Sequence, residues 1–392
     1  MPRTVGIDLG ASYSSVAYVD KASGEAKCVP GPYGDTLCPS IVGLDADGGI
    51  IVGAPARRRS VSHPDRGIHS VKHLMGRGVD GLSDFLRTKL SLDPESREVV
   101  RVRLGECCLT LPEISAFILR ELKMWAEVFL GETVDQAVMA VPACFDEGQR
   151  RATNEAAILA GLEVLHLVNE PVAAALAYGL HERRRGYVVV YDLGGTRCEI
   201  SVLKLIPAGD GGIYHIISTK GDAQLGGDNL DEALLAMVRE EIRLRHGIDV
   251  GSDPQTLQSL RRAMVRAKHD LSFEERATLE VPLPNRSLYV RDILKAEFEE
   301  LARPILERTM DPLKTALGDA RVAPTEIEDV VLVGGSTRLP LVRRMLTEFF
   351  GRRARTEINP DEVVALGAAV QANILEGGLK EAEVESSGGR QS

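Results

Sequence analysis

The sequence predicts an α/β fold of two lobes, and three features lead there. From Val188 to Asp192 a β-branched run delivers a carboxylate to the turn Leu193-Gly194-Gly195, and Ile200-Ser201-Val202-Leu203 returns with alternating apolar residues. That is the pattern of a strand, a tight hairpin and a second strand. Near the N-terminus, Val5-Gly6-Ile7-Asp8-Leu9-Gly10 leading to Val16-Ala17-Tyr18-Val19 repeats the order almost half a chain earlier. Repetition at that distance predicts two similar lobes, each offering a hairpin to a shared cleft. Thirdly, short β-branched runs alternate with segments of helical periodicity along much of the chain.

In each hairpin the glycines let backbone N–H groups converge on an anion, while the aspartate faces the same place. A carboxylate beside a phosphate cradle repels it unless a cation stands between. Magnesium, which joins one or two carboxylates to phosphate oxygens, fits that role. One such element alone reads as an ordinary Gly-turned hairpin; a matched pair points to phosphate.

After the first hairpin, Pro30 to Pro39 is rich in turn residues and Ser40 to Leu44 reads as a short strand. Residues 45–110 mix basic loops (Arg57-Arg58-Arg59, Arg66) with weakly patterned pieces, and on pattern alone Lys72 reads as a surface lysine. The first long helix follows Pro112, with Ile114, Phe117, Ile118, Leu122, Trp125, Val128 and Phe129 at helical spacing and Gly131 to close it. Trp125 belongs to the core. Ala137 to Val141 is a buried strand ended by Pro142, and Asp146 caps a helix that stops at Gly161. Val164 to Val168 is another strand, leading through Asn169-Glu170-Pro171 into an alanine-rich helix to Tyr178. Pro171 suits a first helical position. Glu170 then lies where cleft residues of open α/β sheets are found, or is only a helix-start carboxylate favoured by the macrodipole.

The polar break from His181 to Gly186 separates the lobes. Beyond the second hairpin, Leu225-Gly226-Gly227-Asp228 starts a helix to about His246, and its glycines permit close approach to a ligand. Leu257 to Ser272 is a basic helix carrying Arg261, Arg262, Arg266, Lys268 and His269, without the aromatic interleaving of a nucleic-acid surface. It reads as a solvated face or as a cluster at a nucleotide. A further helix is expected from about Arg291 to Leu317. Asp329 to Val333 then gives a strand, a Gly334-Gly335 turn and a helix start. Asn359-Pro360-Asp361 caps a last helix to about Leu375, and the polar stretch from Glu376 to Ser392 is expected to be disordered.

With 392 residues, 44% hydrophobic and 27% charged, the chain can fill two cores as a soluble globular protein. A net charge of -10 argues against a general role at nucleic-acid or membrane surfaces. Six cysteines (Cys28, Cys38, Cys107, Cys108, Cys144 and Cys198) form no CxxC and no zinc-ligand spacing. Reduced thiols in a cytoplasmic protein are the expectation. Because Val5 already belongs to the first strand, no signal peptide is expected, and no apolar run is long enough to span a bilayer.

From about residue 4 to residue 376, six stretches stand in one order: Gly6-Ile7-Asp8-Leu9-Gly10, Val141-Pro142-Ala143, Asn169-Glu170-Pro171, Leu225-Gly226-Gly227, Val333-Gly334-Gly335-Ser336-Thr337-Arg338 and Ile358-Asn359-Pro360-Asp361-Glu362. Together they resemble the nucleotide-binding domain of DnaK-type heat-shock-70 chaperones, in the actin-like ATPase superfamily. Sugar kinases and actin share the two hairpins but not this combination of Asn-Glu-Pro and Gly-Gly-Ser-Thr-Arg. The resemblance implies an actin-like, ribonuclease H-like fold. Lobe I (residues 1–182) and lobe II (residues 183–360) would each be a mixed β-sheet flanked by helices, around an ATP cleft. The helix 361–375 would return to lobe I ahead of the polar tail 376–392.

The resemblance also implies ATP or ADP with Mg2+ as ligands. Asp8 and Asp192 would hold the metal and position the attacking water, Lys72 would reach the phosphates, and Glu170 and Glu199 would complete the catalytic set. Gly10, Ala11, Ser12 and Tyr13, with Gly194, Gly195, Thr196 and Arg197, would line the phosphates, and Gly226, Gly227 and Asp228 would approach them. Lys268, His269, Ser272, Gly334, Gly335, Ser336, Arg338 and Asp361 would hold the nucleoside. Such positioning and electrostatics supply most of the rate in phosphoryl transfer. A slow ATPase of a chaperone serving protein folding and the stress response is implied, with a J-domain co-chaperone and a nucleotide-exchange factor as partners.

Several family positions are altered. Ala11-Ser12 stands where the family has two threonines. Thr196 replaces a glycine, Arg197 puts a cation where a small hydroxyl is expected, and Cys198-Glu199 replace an aromatic and an aspartate. Arg197 would be an added phosphate ligand or a block to water attack. In the nucleoside helix, Val265 and His269 replace a glutamate and an adenine-stacking arginine, though imidazole can still stack. No apolar linker to a peptide-binding domain follows Leu375, so a trimmed form or a naturally short homologue is expected, meeting unfolded clients only through a missing or separate domain. The rival readings are a pseudo-ATPase that binds without hydrolysing, favoured by Arg197, Val265 and Ala11; a small-molecule kinase of the superfamily; and a filament former.

Overall fold

Buried on both faces, β1 (Thr4–Asp8) is the centre of a mixed sheet in the computed structural model, which describes residues 3–60, 63, 66–69, 71–78, 92–93, 99–180, 185–208, 211–285 and 287–388. Two units are distinguished: Met1–Arg184 with Pro207–Tyr214 and Asp361–Ser392, and Arg185–Ile206 with His215–Pro360. The lobe boundary expected at 182/183 lies outside the described residues.

In the first unit β2 (Tyr13–Val19) turns back antiparallel to β1, pairing Asp8 with Ser15, and β3 (Ala26–Cys28) and β4 (Cys38–Pro39) pair with β2. Next come β5 (Ile41–Leu44), β6 (Ile50–Val52), α1 (Ala54–Ser60) and β7 (Gly67–His69), with β5 central in a three-stranded sheet. Arg57, Arg58 and Arg59 therefore stand on α1, not on a loop as expected. Arg57 N–H bonds to Gly53 O at 2.9 Å, so the helix begins directly after the glycine that ends the β6 edge.

The hairpin β8 (Arg101–Leu104) and β9 (Cys107–Thr110) leads into α2 (Leu111–Leu130). Thr110 and Glu113 form a reciprocal capping box there, and Gly131 closes the helix at φ 71°. Trp125 is buried as expected, with Nε1 donating to Glu121. β10 (Gln136–Val141) runs parallel to β1, and α3 (Glu147–Leu159) starts from the Asp146 cap. β11 (Glu163–Asn169) runs parallel to β10 and passes directly into α4 (Glu170–Ala177).

The second unit repeats this core. β12 (Gly186–Leu193) is paired antiparallel with β13 (Cys198–Ala208), itself followed by β14 (Gly211–Asp222) at the sheet edge. Two helices follow, α5 (Gly227–His246) and α6 (Pro254–Asp270). The hairpin β15 (Arg276–Pro282) and β16 (Leu288–Leu294) comes next, buried at every second residue of β15 through Ala277, Leu279 and Val281.

The expected helix from Arg291 to Leu317 is corrected here. Its first residues belong to β16, and the remainder is two helices, α7 (Lys295–Glu307) and α8 (Met310–Ala320). Pro312 cannot donate to the carbonyl a turn earlier, which favours the break at Arg308-Thr309. β17 (Ile327–Val333) then lies parallel to β12, and α9 (Pro340–Phe350) follows its Gly-Gly turn.

The last helix, α10 (Val363–Gly388), belongs to the first unit and packs on β1, β2 and α4. The approach is close. A Cβ on Gly367 would sit 1.7 Å from Ala173 O, and one on Gly6 would sit 2.1 Å from Ala369 N. Glycine at both places lets backbone meet backbone. The helix continues past Leu375, where it was expected to end. Leu379-Lys380-Glu381-Ala382-Glu383 are good helix formers, and Glu376 Oε1 accepts from Thr4 N–H at 3.2 Å. Residues 389–392 of the expected tail are outside the described residues. Among the described residues no helix is long and apolar enough to cross a membrane.

Candidate functional site

In the first unit, three charged side chains from distant parts of the chain meet at the end of β1. Asp8 is its last residue, Glu170 opens α4 after parallel β11, and Lys72 sits on a 3-10 turn at Val71–Leu74. Lys72 Nζ is 2.5 Å from Glu170 Oε1 and 3.5 Å from Asp8 Oδ1. The Lys72 and Glu170 side chains are only 8% and 7% exposed, so the reading of Lys72 as a surface lysine is corrected. Two carboxylates thus share one buried ammonium, and in low dielectric such a group is stable only when its charges are paired.

The turn above Asp8 is held by its neighbours. Gly10 N–H donates to Ser14 Oγ at 3.1 Å, and Ser14 Oγ bonds to Ser40 Oγ at 2.8 Å. Tyr13 OH accepts from Arg57, whose guanidinium lies over the same ring. Ala11 is half-buried and Ser12 exposed, on the open side of the turn. Arg150, not singled out in the sequence, fastens the β11–α4 junction by donating to Asn169 Oδ1 at 2.7 Å and to Phe145 O at 3.2 Å.

In the second unit, Asp192 stands opposite Glu199 in the β12–β13 register, as Asp8 stands opposite Ser15. Gly194 N–H donates to Arg197 O at 3.0 Å and closes the turn. Arg197 folds back over the pair, 3.8 Å from Asp192 Oδ2 and 3.7 Å from Glu199 Oε2. Behind the strand, Tyr191 OH donates to Thr309 Oγ1 at 2.5 Å and Thr309 donates to Leu306 O at 2.5 Å, pinning β12 from its buried side. Burial holds the Tyr191 phenol protonated well above its ordinary range.

Three other segments gather on this turn. Gly194 O accepts from Gly227 N–H at 2.9 Å and from Ser336 Oγ at 3.1 Å, and Gly195 O accepts from Asp228 N–H at 2.7 Å. Gly334 has φ 83°, and a Cβ there would meet Leu193 O at 2.5 Å, so only glycine fits. Lys268 Nζ donates to Gly227 O at 3.0 Å and pairs with Asp231 Oδ2 at 2.7 Å. Asp231 escaped the sequence reading although it lies one helical turn past Gly227. Burial raises its carboxyl pKa, while Lys268 opposes the shift.

The basic helix α6 divides between its two readings. Arg261, Arg262, Arg266 and His269 are exposed, whereas Lys268 is buried against the Gly-Gly turn with Ser272 half-buried one turn on. Arg338 donates to Asn359 Oδ1, Gly335 lies on the same short turn as Ser336, and Gly226 N–H donates to Asn229 Oδ1 at 2.8 Å. Asp361 is half-buried and belongs to the first unit.

Asp8 and Asp192 are hard oxygen donors of the kind magnesium accepts. No group of three or more His, Cys, Asp or Glu able to hold a metal occurs among the described residues. One aspartate carboxylate near the end of a strand in each unit suits an ion that keeps waters and leans on phosphate oxygens.

Comparison with known proteins follows the same lines. The family model described as Hsp70 protein matches residues 4–385. The chaperone protein DnaK of Thermotoga neapolitana is 41% identical over 380 residues, covering 95% of this chain and 59% of that protein. The DnaK proteins of Thermotoga petrophila and Thermotoga maritima match to the same extent, 41% over 380 residues. The chain thus spans about 59% of the length of these curated relatives. The family's actin-like ATPase fold agrees with the mixed sheets and flanking helices of both units. The chain belongs to the Hsp70 family.

Proposed function

We propose that this chain binds ATP and ADP with Mg2+ and hydrolyses ATP slowly, as the nucleotide-binding domain of an Hsp70-type chaperone. The duplicated hairpin supports this most strongly: in each unit an aspartate lies within the last two residues of a strand that has one antiparallel and one parallel neighbour, with a cation and a second carboxylate beside it. Asp8 and Asp192 are the metal-facing carboxylates, and the metal when bound neutralises phosphate charge. Asp8 and Asp192 also position the attacking water, Lys72 meets the phosphates, and Glu170 and Glu199 complete the catalytic set. Turns 10–13 and 194–197 line the phosphates, with Gly226, Gly227 and Asp228 packed against the second turn. Lys268, His269, Ser272, Gly334, Gly335, Ser336, Arg338 and Asp361 receive the nucleoside. A cytoplasmic setting, a J-domain partner and an exchange factor accompany this reading.

Isothermal titration is expected to give one ADP or ATP per chain in magnesium buffer, and the absence of binding would reject the proposal. In single-turnover assays, Asp192→Ala should lose phosphate release. A second reading, binding without hydrolysis, is favoured by Arg197 between Asp192 and Glu199; it predicts that bound ATP stays intact in the unaltered chain.

A further inference from the structure

We propose that Arg197 is the second unit's counterpart of Lys72, a built-in cation that competes with a divalent metal for Asp192. The inference rests on the nucleotide reading above for its consequence, but on the geometry of one hairpin for its substance.

The two hairpins align residue by residue. Asp8 is the last residue of its strand and Asp192 the last but one, and each faces the seventh residue after it, Ser15 in one case and Glu199 in the other. The first unit thus has a neutral partner opposite its aspartate, and draws its second carboxylate from Glu170 and its cation from Lys72. In the second unit the hairpin itself provides all three groups. Like charges directly opposite on paired strands repel, and Arg197, the last residue of the turn, lies within 4 Å of both. Each unit therefore presents two carboxylates around one cation.

A guanidinium is never deprotonated in proteins, so this countercharge is present at every working pH. The Arg197 side chain is only 13% exposed, where charge interactions are screened less than at the surface. Its separations of 3.7 and 3.8 Å from the acids exceed direct hydrogen-bond distances. The guanidinium therefore neutralises the pair at ion-pair range, and a divalent ion approaching Asp192 must overcome its repulsion. For a nucleotide the same charge works in the opposite sense, since an anion gains a fixed cation that needs no metal. The chain should then hold ADP with unusually little dependence on magnesium.

Two measurements on the full chain test this. In the first, Mn2+ binding to nucleotide-free protein is followed by electron paramagnetic resonance. Arg197→Thr should bind Mn2+ about fivefold or more tightly than the unaltered chain, from removal of one like charge near Asp192. Arg197→Lys should not, and Asp192→Asn added to Arg197→Thr should abolish the gain. In the second, ADP is titrated with Mg2+ or with chelator. Removing the metal should weaken the unaltered chain less than about threefold and Arg197→Thr more than about tenfold.

Equal Mn2+ affinity in the unaltered chain and Arg197→Thr would overturn the proposal, as would equal losses of ADP affinity on chelation. Trp125 emission and circular dichroism report whether each variant is folded, and the lysine variant retains the charge if the threonine variant is not. Failure of the unaltered chain to bind ADP in either buffer would remove the nucleotide reading alone. The Mn2+ comparison then still decides the role of Arg197.

Discussion

At the scale of single residues, the Lys72–Glu170 pair shows what a linear pattern hides. Its partners lie 98 positions apart, and Lys72 is on a short 3-10 turn whose neighbours carry no helical or strand period. Only the resemblance singled the lysine out; spacing alone left it on the surface. Lys72→Ala would leave two carboxylates together without their cation, at a cost of about 3–5 kcal/mol. Lys72→Met with Glu170→Gln should recover part of that loss. Urea unfolding followed by Trp125, the one tryptophan of the chain and a residue of the first unit, reads the difference.

Thiols give a second prediction at this scale. Burial pushes the Cys38 thiol up to about 12 and raises those of Cys28 and Cys198 further, with the nearby Asp192 adding to the effect at Cys198. A raised thiol pKa keeps the reactive thiolate scarce at pH 8. Exposed Cys107 and Cys144 should react quickly with a thiol reagent in native protein, half-buried Cys28 more slowly, and buried Cys38 and Cys198 only on unfolding.

At the scale of elements, the two hairpins, α2, α3 and the strand-to-helix junction at Glu170 were legible because each carries its own period and punctuation. Thr110 and Asp146 cap their helices, and Gly131 ends α2 in the left-handed region. The β15–β16 hairpin was overlooked although Ala277, Leu279 and Val281 alternate inward with Thr278 and Glu280 between them, the two-residue period of a half-buried strand. The helix expected across Arg291 to Leu317 failed because a strand ending at Leu294 abuts a helix starting at Lys295 with no turn residue between them.

Helix α10 carries the prediction at this scale. Gly367→Ala would force its backbone away from Ala173 O and should cost about 3 kcal/mol or more, by overpacking of a site with no room to yield. Gly377, on the same helix with nothing within 4 Å of its added Cβ, provides the contrast. Gly377→Ala should be neutral or stabilising by up to about 1 kcal/mol, the helix preference of alanine over glycine. Urea midpoints and limited proteolysis of the C-terminal helix distinguish the two.

At the scale of the whole molecule, charge and composition argued against broad classes of partner but suggested no ligand. The order of the six short stretches carried the family resemblance, and the structure gives a local reason at three of them: Gly334 at positive φ, Gly227 under Ser336, Glu170 at the mouth of a parallel strand. What the order could not give was the counter-ions. Asp231 owes its partner Lys268, 37 positions away, to the fold alone.

Ligand binding should register in the stability of the chain. ADP with magnesium at about a hundred times its Kd should add about 2.7 kcal/mol, which corresponds to a rise in Tm of about 5 °C or more for units of this size. Asp8→Asn and Asp192→Asn should each reduce that rise in a thermal melt, and a melt indifferent to ADP in every chain would reject the reading.

The position of α10 has a further consequence for how the molecule comes into being. The strand it covers, Thr4–Asp8, is made long before the cover, Val363–Gly388. Until α10 has been made, β1 and α4 must wait with their alanine-lined seam open to water, while the middle of the chain, self-sufficient in its own core, is free to settle first. The arrival of Val363–Gly388, rather than synthesis of the early residues, is then the event that lets the first unit close.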